Sequence, residues 1–299
     1  MIIPHARIHF IVARESPIAA VFRRGPSKTV ALLQWNLKNG EITLGQWLRG
    51  RIYPMRADLS PNGKHLIYFA ANHRPHDALG GSWTAISTMP YLTALHLYGW
   101  GHCWNGGGLF VDNASYWLNT GWSFADLVSH DANPAHGPLG GKVQCGLHPS
   151  DAPPPGATDQ TGEDPVTYLP RLHRDGWREV SRHGDNTAAV VVLEKPVRKG
   201  WVLEKTFHMG LKAGQNHECY ADTHRLIGKT EKWDLPGVDC ADVYKGTLLF
   251  ARSGALWRQA VHARGPDDET RIADLNDLKF TAIEAPYAGV SAQDLRPWR

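Results

Sequence analysis

Apolar and polar residues alternate over short runs along the whole chain, and glycine or proline cuts each run before a helical period can build. Within residues 30–47, two strand-like runs flank Asn39-Gly40. Both residues of that pair tolerate positive φ, so the segment predicts a hairpin. Further strands are expected at 7–12, 18–22, 92–98, 108–111, 115–119, 188–194, 201–208, 218–226 and 255–261. With 30 glycines and 20 prolines as punctuation, the pattern is all-β.

One strand-pair phrase occurs twice. Ala57-Asp58 leads a short segment, a turn centred on Gly63 follows, and His65-Leu66-Ile67-Tyr68-Phe69-Ala70 closes it; Ala241-Asp242, Gly246 and Thr247-Leu248-Leu249-Phe250-Ala251 repeat the plan. A lone hairpin cannot bury its own apolar face, so repetition implies stacking against others of its kind. Asp58 and Asp242 read as turn residues that bond nearby amides rather than as catalytic carboxylates. The tryptophans repeat too: Trp122, Trp177 and Trp233 stand 55 and 56 residues apart, and Trp201 and Trp257 each follow the nearer of these by 24. About five units of that length fill most of the chain. Equal spacings also arise by chance among 12 tryptophans.

The form Leu59-Ser60-Pro61-Asn62-Gly63-Lys64-His65-Leu66-Ile67-Tyr68 resembles the inner-hairpin phrase of bacterial β-propeller repeats, usually written Ser-Pro-Asp-Gly before an aliphatic strand. Asn62 stands where aspartate is usual. The resemblance reaches the superfamily and covers two copies with two degraded ones. It implies a β-propeller of about five blades with one long loop insertion. No WD40-type Trp-Asp terminus and no sialidase-type box accompany it. Residues 85–119 are also similar to a bacterial family from which no function carries over.

Composition narrows the class. At 42% apolar and 20% charged residues the chain can bury a core, and residues 1–299 are expected to form a single domain. The net charge of +3 is spread without a Lys/Arg block, which argues against nucleic acid and against anionic membranes as partners. No run has the apolar length to span a bilayer, and the first residues lack the pattern of a signal peptide, so a cytoplasmic location is expected. Cys103, Cys145, Cys219 and Cys240 form no Cys-x-x-Cys pair, which favours reduced thiols over a disulfide framework or structural zinc. Residues 129–170, rich in Pro, Gly, Asp and His, read as the long loop.

The 16 histidines supply the candidate chemistry. On a strand, period 2 places Glu218, Tyr220, Asp222 and His224 on one face and His217 on the other. His217, Glu218, Asp222 and His224 are therefore the catalytic candidates, an arrangement able to hold an acid, a base or a metal; the plainer reading is a solvated outer face. Trp100, His102 and Trp104 lie in a glycine-rich turn and are candidates for ligand binding by stacking; the plainer reading is a packed hairpin loop. His130, His136 and His148 share the long loop and are candidate metal ligands, although no pair has the His-Glu-x-x-His spacing. No Gly-x-Ser-x-Gly elbow and no Gly-x-Gly-x-x-Gly fingerprint is present.

These observations favour an interaction or scaffolding module that binds another protein. The alternative is a hydrolase or lyase acting on a carbohydrate-like or other polar small-molecule ligand through a central His/carboxylate site. No cofactor is expected, with a divalent metal the one exception the alternative admits.

Overall fold

In this computed structural model, residues 5–25, 28–76, 79–120, 148–150, 166–184, 189–208 and 221–287 are described. The expected alternation becomes strands almost throughout. A first sheet joins β1 (Arg7–Val12), β2 (Ile18–Arg24), β3 (Thr29–Asn36) and β4 (Ile42–Arg49) in that order. A second joins β5 (Arg51–Leu59), β6 (His65–Ala71), β7 (Ser82–Thr88) and β8 (Ala94–Gly99). The third is small: β9 (Gly108–Phe110) pairs antiparallel with β10 (Ser115–Leu118), which pairs parallel with β11 (His148–Pro149). The fourth runs β12 (Arg178–His183), β13 (Val190–Arg198), β14 (Trp201–His208), β15 (Ala221–Ile227), β16 (Lys232–Asp234). The fifth has β17 (Val238–Tyr244), β18 (Thr247–Arg252), β19 (Ala255–His262) and β20 (Gly265–Pro266), with β21 (Thr270–Asp274) also paired to β19. One helix, α1 (Tyr168–Arg174), precedes β12.

The fold is therefore all-β, with four blade-like meanders of four or five strands among the described residues where about five were expected. The tryptophan spacing explains the excess. Trp177 immediately precedes β12 and Trp233 lies in β16, so the two mark opposite edges of one sheet rather than equivalent places in successive blades. Trp201 of β14 stacks on Trp233, with ring centroids 4.8 Å apart at 26°.

Both copies of the strand-pair phrase form hairpins. Asp58 pairs with Ile67 and Leu59 with Leu66; Asp242 pairs with Leu249 and Val243 with Leu248. Lys245 and Gly246 both take positive φ, the requirement of a two-residue type I′ connection. The Gly63 turn is longer: Gly63 N–H donates to Ser60 O, and Asn62 Oδ1 accepts from Ser60 Oγ and Lys64 N, so asparagine serves where the usual phrase has aspartate. The Asn39-Gly40 hairpin forms as well, but with a four-residue loop between Asn36 and Glu41.

By contact the chain divides into two compact units, Met1–Phe10 with Leu172–Leu278, and Ile11–Arg171 with Lys279–Arg299. In the second, Phe22, Leu32, Ile52, Leu66, Tyr68 and Trp83 anchor one buried cluster. Ile67, Phe69, Ile86, Phe110 and Tyr116 anchor another, which joins the second and third sheets. Each such side chain contributes about 1.5–3 kcal/mol by leaving water. In the first unit Val191, Leu193, Leu203, Phe207, Leu226 and Phe250 are buried. No helix among the described residues is long and apolar enough to cross a membrane.

Candidate functional site

Two places gather the sequence-derived candidates. The first is built where β8 runs into a glycine-rich turn. Strand alternation sends His96, Tyr98 and Trp100 toward the cluster formed by Phe69, Phe110 and Tyr116. Trp100 is only 6% exposed and its indole N–H donates to Thr84 Oγ1 at 2.9 Å, so it is a core residue that anchors the turn. Four residues on, Trp104 is 62% exposed. His102 lies between them: its carbonyl accepts from Ser82 Oγ at 2.6 Å and its Nδ1 accepts the Trp104 amide at 3.3 Å. The Trp100 and His102 rings stand 6.1 Å apart.

The turn is braced from below. β5 shifts register between Tyr53 and Asp58, leaving residues 54–57 as a bulge. Bulges re-aim side chains. Here Arg56 stacks over Tyr53 and Phe69, at 5.7 and 5.2 Å from their ring centroids, and its Nη1 donates to the carbonyls of Cys103 (2.6 Å) and Asn105 (3.2 Å). The bulge is itself tied down, because Thr167 Oγ1 donates to Met55 O and Arg171 Nη1 to Pro54 O and Ala57 O. Asn105 Nδ2 donates to Thr120 O, and Gly107 N–H to Thr84 Oγ1. Gly106 and Gly107 carry positive φ, and a Cβ on either would lie 2.2 Å from Phe69 Cδ2 or Arg56 O. Only glycine lets the backbone approach so closely.

Burial pushes the Cys103 thiol above its ordinary value and Arg56 opposes the shift only in part, so the sulfur is not an activated thiolate. Burial likewise raises the Tyr53 phenol. Asp58 is wholly buried, and its carboxylate accepts the amides of Leu59 (2.9 Å) and Phe110 (2.7 Å), the second on another sheet. Arg56, Tyr53, His96, Tyr98 and Tyr116 were not singled out by sequence. Only the period-2 run His96, Tyr98, Trp100 carries a signal that could have found any of them.

The second place lies in β15. Asp222 and His224 share a face with buried Leu226, and Thr223 points out to solvent. Opposite them on β14, Lys205 Nζ lies 3.0 Å from Asp222 Oδ2, with both side chains almost fully buried. The Lys205 ammonium also sits 5.0 Å from the Trp177 ring centroid. Burial, reinforced by Lys205, lowers His224 to about 3 against the pull of Asp222, so the imidazole is neutral; neither ring nitrogen has a hydrogen-bond partner. Cys240 is buried beside this group, its Sγ donating to Phe10 O, and burial raises its thiol to about 11. Asp242 accepts the Val243 amide at 2.7 Å and pairs with Lys195 at 2.6 Å. The cluster therefore holds paired charges and a sealed imidazole.

His217, Glu218, His130 and His136 lie outside the described residues. His148 pairs through its backbone with Ser115 in the two-residue β11, and α1 begins at Tyr168, so ordered elements enter the segment read as a long loop. Among the described residues no three His, Cys, Asp or Glu side chains are grouped to hold a metal ion.

No family model matches the chain. No curated protein matches it. It is similar to a solved chain from structures of two prolyl endopeptidases, concerned with the role of inter-domain dynamics in catalysis and specificity. That likeness has 8% identity and a TM-score of 0.28 over 88% of this chain and 42% of the other. This chain thus spans about two-fifths of that one, and a likeness so weak assigns it no activity.

Proposed function

We propose that the protein is an interaction module that binds another protein through the Trp104 turn. The observation that carries this reading is the contrast within one short segment: Trp100 is sunk in the core, and Trp104 is 62% exposed on a backbone fixed by Arg56, Thr84 and Asn105. A preorganised aromatic side chain loses little entropy when a partner covers it. Tryptophan is also the residue type most enriched among binding hot spots. The second place supports the same reading, since Asp222 is committed to Lys205 and His224 is sealed.

The test is site-specific photocrosslinking. A photoreactive residue at position 104 should capture one protein reproducibly, and the same residue at exposed position 38, on the β3–β4 loop, should not. Equal capture from both positions would end this reading.

A further inference from the structure

Between the second and third sheets, three titratable side chains run in series from the half-buried rim into the interior. Tyr98 Oη lies 2.7 Å from Tyr116 Oη, and Tyr116 Oη lies 2.5 Å from His96 Nδ1. Tyr116 is wholly buried and His96 is 8% exposed, whereas Tyr98 remains partly accessible at the edge of the cluster. The ring of Tyr116 is fixed edge-on to His96 (5.7 Å, 64°) and to Phe110 (6.3 Å, 72°). Packing alone does not call for such a series. Tyr68, buried in the neighbouring cluster, satisfies its hydroxyl with a single backbone carbonyl, that of Leu92 at 2.6 Å.

We infer that Tyr98, Tyr116 and His96 form a proton relay whose working end is the Tyr98 hydroxyl, a site for acid–base chemistry on a small molecule bearing a hydroxyl or carbonyl oxygen. With His96 neutral and Nδ1 unprotonated, Tyr116 donates to His96 and Tyr98 donates to Tyr116. When a substrate hydroxyl gives its proton to Tyr98 Oη, the Tyr98 proton passes to Tyr116 Oη and the Tyr116 proton to His96 Nδ1. Three O–H bonds break; two O–H bonds and one N–H bond form, leaving an alkoxide and an imidazolium. No electron changes owner, and the reverse sequence delivers a proton. A positioned acid or base of this kind accelerates proton transfer substantially. Tyr98 is the member of the series that is only partly buried, so it is the end that a ligand can reach. This inference does not depend on a protein partner at Trp104.

The test needs no substrate. N-acetylimidazole acetylates tyrosine hydroxyls according to their nucleophilicity, and peptide mapping of the intact chain gives a rate for each tyrosine. A relay makes Tyr98 react about tenfold or more faster than Tyr53, which is likewise partly buried. Tyr116→Phe, which keeps the ring, and His96→Asn should each remove that advantage while leaving the Tyr53 rate and the near-ultraviolet circular dichroism unchanged. A wild-type Tyr98 no faster than Tyr53 overturns the relay without recourse to any variant, and so does an unchanged Tyr98 rate in a folded Tyr116→Phe protein.

Discussion

The guanidinium of Arg56 donates to the carbonyl of Cys103 at 2.6 Å, and through that bond a bulge in β5 holds the turn that displays Trp104. Arg56→Met should free the turn. The lost hydrogen bonds to Cys103 and Asn105 should cost about 1.5–3 kcal/mol. Hydrogen exchange read by mass spectrometry should show faster exchange across residues 101–107 with the rest of β5–β8 unaffected; uniform acceleration over the whole chain would place the role of Arg56 in global stability instead.

Gly106 and Gly25 make an internal comparison, since both have positive φ but only Gly106 is crowded. Gly25→Ala meets nothing within 4 Å and should cost on the order of 1 kcal/mol from backbone strain. Gly106→Ala adds a carbon 2.2 Å from Phe69 Cδ2 and should cost several times as much, roughly 3 kcal/mol or more. Urea denaturation of the two variants measures the difference.

His224 predicts an acid-sensitive fold. In the folded chain it stays neutral down to about 3, while the unfolded chain takes up a proton below the ordinary histidine value of 6.5. The unfolded state then binds more protons, so stability falls as pH drops from 6.5 toward 3, by up to about 1.4 kcal/mol per pH unit. Denaturation midpoints at pH 7, 6 and 5 should decline in the wild type and decline less in His224→Leu. Because neither ring nitrogen has a partner, His224→Leu should be nearly neutral or stabilising at pH 7.

Lys205 and Asp222 should behave as a unit. Lys205→Met leaves a carboxylate buried without its ammonium and should cost about 3–5 kcal/mol. Adding Asp222→Leu should recover most of that loss in a double-mutant cycle. Additive losses would show that the two charges are not coupled.

Much of the fold was legible because local chemistry decided it. Arg7–Val12 and Trp201–His208 match their expected bounds, since alternation and turn residues agree there. β7 escaped because Ser82–Thr88 is buried on both faces, and its alternation of small polar and apolar residues breaks at Ile86. β12 escaped for the opposite reason: Arg178–His183 is an edge strand in which Val180 is the one apolar residue. The site was less legible than the fold. Trp100 and Trp104 look alike in the sequence, and only the packing of Phe69 and Thr84 around one of them separates an anchor from an exposed contact. Asp58 reads as turn chemistry from its neighbours, and its bond to Leu59 agrees, but its bond to Phe110 joins strands 52 residues apart and has no local signature.

The central claim is that Trp104 supplies binding energy to a partner protein. Its most direct measurement is the affinity of the purified partner, once captured at position 104, for wild-type chain and for Trp104→Ala by calorimetry. The account predicts at least a roughly 30-fold loss of affinity, the scale of a hot-spot tryptophan at about 2 kcal/mol, with thermal stability unchanged. An affinity equal to that of the wild type would contradict it.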